Sequence, residues 1–171
     1  QTYCEDARYF HPRNGARIEA IRDRIAALSL EPELEAVLLV SLMEAADRVD
    51  STVGVQMAYL KAWAKRAHNE LVLRLPEILE GPGAALGLDA TEAARAVGRV
   101  DLAYLDPPYN QHSYRGNYHV WETIVAWDHP EHYGVACKRV DARDDSTKSP
   151  FNRKREMPGA LDGRGQAALV P

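Results

Sequence analysis

Long apolar runs are missing from this sequence. No stretch approaches the ~20 residues that a helix needs to cross a bilayer, so no transmembrane helix is expected. The opening residues, QTYCEDARYF, hold no basic flank leading into an apolar segment, so no signal peptide is read there. Cysteine is scarce. Cys4 and Cys137 are the two present, and they give neither a metal-ligand spacing nor a disulfide framework, which fits a reducing cytosol and a cytoplasmic location. An excess of positive charge is missing too. The formal net charge is −4, which excludes a surface coated in positive charge but not a local basic patch. Internal repeats and low-complexity tracts are absent. The sequence starts at Gln1 and ends DGRGQAALVP with no closing element, so the chain is expected to be processed or to be a piece of something longer.

What is present is a chain of 171 residues, enough for one domain with a real core. Ile18, Ile21, Ile25 and Leu28 recur at helical spacing, with Arg17, Arg22 and Arg24 on other faces and Asn14 placed to cap the start. Pro32 suits the first turn of a second helix over PELEAVLLVSLMEAADRV. That helix is apolar on most sides from Val37 to Met43 and is expected to be buried. A third helix is expected over VQMAYLKAWAKRAHNEL, with Tyr59, Trp63 and Ala67 on one stripe. Residues 14–80 should therefore be mostly helical. EGPGAALG reads as loop. AALGLDA is placed as a short strand. RVDLAYLD is short, apolar and bounded by turn residues, so residues 100–106 are expected to form a buried strand of a parallel sheet ending at Asp106. HVWETIVAW reads as a helix, and residues 138–155 as polar and irregular. The layout is a helical block followed by part of an α/β core.

The strand is expected to run into Asp106-Pro107-Pro108-Tyr109. Each proline fixes its own φ and steers the preceding residue away from helix, so the turn is stiff before any ligand arrives. In an open α/β sheet, ligands sit beyond the carboxyl ends of the strands. Asp106 would present acceptor oxygens there, the carbonyls of Asp106 and Pro107 would add more, and Tyr109 would supply a flat ring. Acceptors beside a stacking surface suit a planar base with an exocyclic amino group. Such a conjugated amine is a poor nucleophile, so position and polarisation must make it react. The bland alternative is a strand followed by a proline turn.

LDPPYNQHSYRGNYHVWE, with YGVACKRVD and SPFNRK after it, resembles the catalytic region of the D12 class of N6-adenine DNA methyltransferases, the Dam-like group. The resemblance covers most of residues 8–155. It implies a partial Rossmann-like α/β core that uses S-adenosylmethionine, with residues 1–83 as a helical block like the family's target-recognition region. Residues 84–155 would be the partial catalytic core, and 156–171 an atypical tail. By resemblance, Asp106 and the Pro107 carbonyl bind the target amino group, Pro108 shapes the turn, and Tyr109 stacks on the flipped adenine of DNA. Asp89 falls where relatives place an acceptor for the cofactor's adenine; a helix cap or loop carboxylate is the other reading. Tyr114, Asn117 and Tyr118 look like the loop that closes over the extruded base, or in the case of Tyr118 a ring packed on Trp121.

Between Lys138 and Arg155 seven cations face three acids. Lys138 and Arg139 are therefore placed as phosphate contacts, against the reading of a solvated charged face. Arg17, Arg22 and Arg24 are further candidates. The family's Gly-rich cofactor loop, Phe-x-Gly-x-Gly, is missing, as is the strand that carries the ribose acceptor. The isolated chain is accordingly expected to bind S-adenosylmethionine weakly at best and to transfer no methyl group. No metal and no membrane partner are expected. No cysteine lies in the catalytic turn, which excludes the route used for carbon-5 of cytosine. Two readings compete with the leading one: methylation of RNA bases by the same motif, and a non-catalytic DNA-binding remnant.

Overall fold

Pro12 opens helix α1 (Pro12–Ala27), where its missing N–H costs nothing, and the Nδ1 of His11 accepts from the Arg13 backbone N–H at 3.4 Å. The computed structural model to which this helix belongs describes residues 2–108, 110–144 and 148–160. By its internal contacts the chain divides into two units, Gln1–Ile78 with Tyr114–Asp144, and Leu79–Ser113 with Asp145–Pro171. The described residues form helices and one small sheet.

In the first unit, α1 packs on helix α2 (Pro32–Asp47). Ile18 and Ile25 of α1 meet Leu42, Ala45 and Ala46 of α2 in the core. The alanines let the two helices approach closely, and burying each Ile or Leu side chain contributes about 1.5–3 kcal/mol. Tyr9 and Phe10, ahead of α1, join the same core, and the Ser51 N–H donates to the Tyr9 carbonyl at 2.7 Å. Helix α5 (His119–Ala126) closes the core with Val120 and Ile124. Its last carbonyls have no intrahelical donor. Arg22 of α1 supplies one: Nε donates to Ile124 O at 2.7 Å and Nη2 to Val125 O at 3.0 Å. Trp127 then ends α5 in the left-handed conformation, φ +51°. A two-stranded antiparallel ladder follows, β1 (His132–Tyr133) with β2 (Lys138–Arg139), turned at Gly134 with φ +68°.

A buried polar cluster sits beside this ladder. The Ala136 carbonyl accepts from Tyr9 OH at 2.7 Å and bonds His119 Nε2 at 3.0 Å, so Nε2 carries the imidazole proton. Burial holds the His119 pKa down to about 4, although the bond to Ala136 favours the charged form.

The second unit holds helix α3 (Ala90–Val97) and a 3₁₀ turn, Pro150–Asn152. Asp89 caps α3, accepting from the Thr91 N–H at 2.8 Å, and Gly98 ends it at φ +71°.

Several expectations fail, each for a physical reason. Asn14 does not cap α1: it is buried within the first turn, and its Nδ2 donates to Ala67 O and Asn69 O at 3.0 and 2.9 Å. Helix α2 is not buried on most sides, since Leu34 and Val40 are exposed and only residues 41, 42, 45 and 46 are buried. The third helix does not form; residues 55–71 hold only a 3₁₀ turn, Lys65–His68. Their backbone bonds go elsewhere: Gln56 N–H to Asn117 O at 2.8 Å, and Ala64 N–H to Ser51 Oγ at 2.9 Å. Ala58 at φ +52° would also break a helix. Residues 14–80 are thus helical chiefly up to Asp47.

Neither expected strand forms. AALGLDA gives way to the cap and start of α3, and residues 100–106 lie outside any helix or strand. A parallel strand needs neighbours to take its N–H and C=O groups, and the described residues of this unit offer none. Leu102 is 88% and Tyr104 87% exposed as a result.

Candidate functional site

The stiff turn and the aromatic loop that follows it lie in different units. In the second unit Asp106 is exposed and Pro107 and Pro108 are half-buried, while Tyr109 lies outside the described residues. The turn is held from its far side. Asn110 Oδ1 accepts from the His112 N–H at 2.8 Å, closing an Asx turn. Asn152, buried after Phe151, donates its Nδ2 to Asn110 O at 2.8 Å and to His112 O at 3.0 Å. Ser149 Oγ accepts from the Phe151 N–H at 3.3 Å and so fixes the 3₁₀ turn that carries Asn152. Two backbone carbonyls next to the Asp-Pro-Pro segment are therefore tied by one amide from the SPFN stretch. Asp89 serves as the cap of α3 and is exposed.

In the first unit a short helix α4 (Tyr114–Asn117) leads through Tyr118 into α5. The Tyr118 N–H donates to Tyr114 O at 2.8 Å, and the two rings lie 5.8 Å apart at 57°. Both rings, with Met43, Arg115 and Trp121, line an open pocket of about 440 Å³. The structure therefore brings together Tyr114 and Tyr118. Trp121 itself packs edge-on against Phe10, at 6.3 Å. Gln56 fixes the joint between the two helices. With its amide turned so that both groups are satisfied, Nε2 donates to Asn117 O at 2.7 Å and Oε1 accepts from Trp121 Nε1 at 3.0 Å.

The two basic candidates part company. Lys138 is half-buried, its pKa is lowered by that burial, and its Nζ stands 3.5 Å from where a Cβ on Gly116 would be. It has no ion-pair partner among the described residues. Arg139 is not available to a phosphate. Its side chain is only 5% exposed, and its guanidinium binds Asp128 (Nη1–Oδ1 2.8 Å, Nη2–Oδ2 2.6 Å) and Asp141 (Nη2–Oδ2 2.8 Å). Arg139 holds both carboxylates below their usual pKa range. Arg22 is spent on α5 and Arg17 on Glu70, at 2.7 Å.

Sequence reasoning missed Asn152 and Gln56. The Ser-Pro of SPFN signals a cap and a tight turn, so Asn152 was within reach; Gln56 carries no local signal.

The described residues hold no group of three or more His, Cys, Asp or Glu able to bind a metal ion, and no described helix is long and apolar enough to cross a membrane.

Comparison with known proteins bears on this arrangement. The family model for the D12 class N6 adenine-specific DNA methyltransferase matches residues 2–154. The type II methyltransferase M.FokI of Planomicrobium okeanokoites is 38% identical over 160 residues, 90% of this chain and 24% of that protein. The modification methylase StsI of Streptococcus sanguinis is 33% identical over 137 residues, 76% of the chain and 21% of its own length. The type II methyltransferase M.NlaIII of Neisseria lactamica is 33% identical over 138 residues, covering 75% and 41%. The chain thus spans about a quarter of the length of M.FokI. No solved structure matches it.

Proposed function

The chain belongs to the D12 class of N6 adenine-specific DNA methyltransferases, and on that premise we propose that it supplies the target-base side of an enzyme that methylates the exocyclic amino group of adenine in DNA. The observation that carries this reading is Asp-Pro-Pro-Tyr at 106–109, inside a family match that spans residues 2–154. Asp106 and the Pro107 carbonyl accept the two N–H bonds of the amino group. That direction of hydrogen bonding leaves the nitrogen lone pair free for the incoming methyl carbon. Pro108 keeps the turn stiff, and Asn152 ties down the two carbonyls that follow it. Tyr109 stacks on the extruded base, and Tyr114, Asn117 and Tyr118 close over it. Lys138 contacts a phosphate near that loop.

The methyl donor is S-adenosylmethionine. The described residues do not fit it: no strand supports the turn at 100–108, and Asp89 is an exposed cap on α3. The rest of the cradle is assigned to parts of the relatives that this chain does not match. We assign residues 1–83 to target recognition, 84–155 to a partial Rossmann-like catalytic core, and 156–171 to a tail outside both. The enzyme would act in the cytoplasm, as a modification methyltransferase. The lack of a cradle favours a second reading for the isolated chain, a DNA-binding piece with no catalysis.

The test is tritiated methyl transfer to duplex DNA, with the chain alone and with a chimera in which residues 2–154 replace the matching part of M.FokI. The chain alone should incorporate nothing, and the chimera should label adenine at N6. A folded chimera that labels cytosine, or that labels no base, refutes the proposal.

A further inference from the structure

Two segments distant in sequence, both carrying exposed basic residues, are brought together by the first unit. One is the entry to α1, with Arg8, His11 and Arg13. The other is the stretch with Lys61, Trp63 and Lys65, ending in the 3₁₀ turn. They are locked together by polar contacts. Asn14 binds the carbonyls of residues 67 and 69. Arg13 Nη2 donates to His68 O at 3.0 Å, and the Arg8 guanidinium donates to the Lys61 carbonyl. The His11 ring lies 5.5 Å from Trp63 and 5.3 Å from His68.

The way these cations are held is informative. A carbonyl orients a guanidinium but does not neutralise it. Arg17 and Arg66 have carboxylate partners, Glu70 and Asp50. Arg8, Arg13, Lys61 and Lys65 have none among the described residues. The first turn of α1 carries no acid, so its N-terminal dipole adds to the same sign. A chain of net charge −4 thus brings four cations without a direct ion pair to the junction of two segments, with Glu70 as the acid that feels Arg13. Positive charge gathered at one junction raises the local concentration of anions there.

We propose that this junction, Arg8, Arg13, Lys61 and Lys65 around the half-buried Trp63, binds the phosphate backbone of duplex DNA. The inference rests on the DNA methyltransferase reading and gives its DNA footprint a second location besides Lys138. Phosphates fit because guanidinium and ammonium groups can hold the charged backbone of DNA without reading its bases.

The experiment measures binding of a fluorescein-labelled duplex to the 171-residue chain by anisotropy, at salt concentrations from about 50 to 300 mM. The variant is Lys61→Ala/Lys65→Ala. It keeps every hydrogen bond described above, since Arg8 bonds to the main-chain oxygen of Lys61; thermal melts confirm its fold. Each lost phosphate contact should reduce the slope of log K on log salt by about 0.9, or about 1.8 for the pair, equivalent to ~60-fold weaker binding at 0.1 M salt if the lines converge at 1 M. A folded variant with the parent's slope overturns the proposal, as does a parent chain that does not bind DNA. Equal loss of binding to phosphatidylserine vesicles would also overturn it, by showing a general anion surface. Methyl transfer by the M.FokI chimera is scored separately, so a failed footprint and a failed methyltransferase reading are told apart.

Discussion

Arg139→Met should destabilise the protein by about 3 kcal/mol at pH 7 and leave DNA contacts alone. The guanidinium is 5% exposed and shares five hydrogen bonds of 2.6–3.3 Å with Asp128 and Asp141. Bonds to charged groups are worth about 1.5–3 kcal/mol each when they are cleanly lost. Here the loss is smaller than their sum. Asp128 and Asp141 are 44% and 40% exposed, so water takes up their charge once Arg139 has gone, and Asp141 keeps Arg115 at 3.1 Å. Methionine also removes the cost of burying a cation. About 2 kcal/mol for the fork to Asp128 and about 1 for Asp141 is the remainder. In urea, with a slope of roughly 1–3 kcal/mol/M, the midpoint should fall by about 1–3 M. The pH dependence has a definite sign. Both carboxylates have folded pKa values below their unfolded values near 4. Their contribution is full above pH ~4 and is lost as pH falls through the lower folded values. The gap between parent and variant should therefore narrow towards pH ~2.5. A midpoint shift under about 0.3 M at pH 7, or a gap that persists unchanged at pH ~2.5, would refute the account of Arg139 as a buried tie between two carboxylates.

In the M.FokI chimera, Asp106→Ala should lower methyl transfer by ~100-fold or more, since losing one such contact costs on the order of 3 kcal/mol; the melting temperature should not move, because Asp106 is exposed. Activity within about threefold of the parent would show that Asp106 does not hold the target nitrogen. Asn152→Ala should speed hydrogen exchange at residues 110–112, read by mass spectrometry, because both carbonyl ties are lost together; unchanged exchange would mean the ties do not restrain the loop. His119 should make stability pH-dependent in the other acidic window. Its folded pKa of about 4 lies below the unfolded ~6.5, so the unfolded chain gains a proton first and stability falls between pH ~6.5 and ~4, by up to about 3 kcal/mol. His119→Gln should flatten that part of the profile in urea titrations, and a parent profile flat from pH 6.5 to 4 would refute it.

Helices α1, α2 and α5 were legible because their signals are local. Pro12 and Pro32 open helices, Ile18 and Ile25 repeat on one face, and HVWETIVA is amphipathic over two turns. The third helix was illegible for the converse reason. VQMAYLKAWAKRAHNEL has the spacing of a helix, but Gln56 and Ala64 bond to Asn117 and Ser51, partners that no window of sequence can see. Asn14 misled in the same way. An asparagine ahead of an apolar repeat is a good cap by type, yet here it lies inside the helix and spends its amide on residues 67 and 69. The candidate site divides along the same line. Asp106-Pro107-Pro108 could be proposed as a base-binding turn because the residues that carry the proposal are consecutive. The fate of Arg139 could not be read, because a run of cations does not reveal which of them will meet Asp128.

The segment at 100–106 shows how far a local reading reaches. Its apolar residues are those of a buried parallel strand, and nothing in its own sequence argues against that assignment. Burial of a parallel strand is a property of its neighbours, which must take its N–H and C=O groups on both sides. Without them Leu102 and Tyr104 stand almost fully exposed. The sequence pattern thus records a requirement for partner strands, and the structure shows that requirement unmet among the described residues of its unit. That is the condition the chimera with M.FokI is designed to change. If residues 100–106 gain partner strands there, backbone exchange over 101–105 should slow by several orders of magnitude relative to the isolated chain, as ladder bonds replace water. Equal exchange rates in the two contexts would mean that the segment is not a strand of the catalytic sheet, and the placement of Asp106 at a strand's carboxyl end would fall with it.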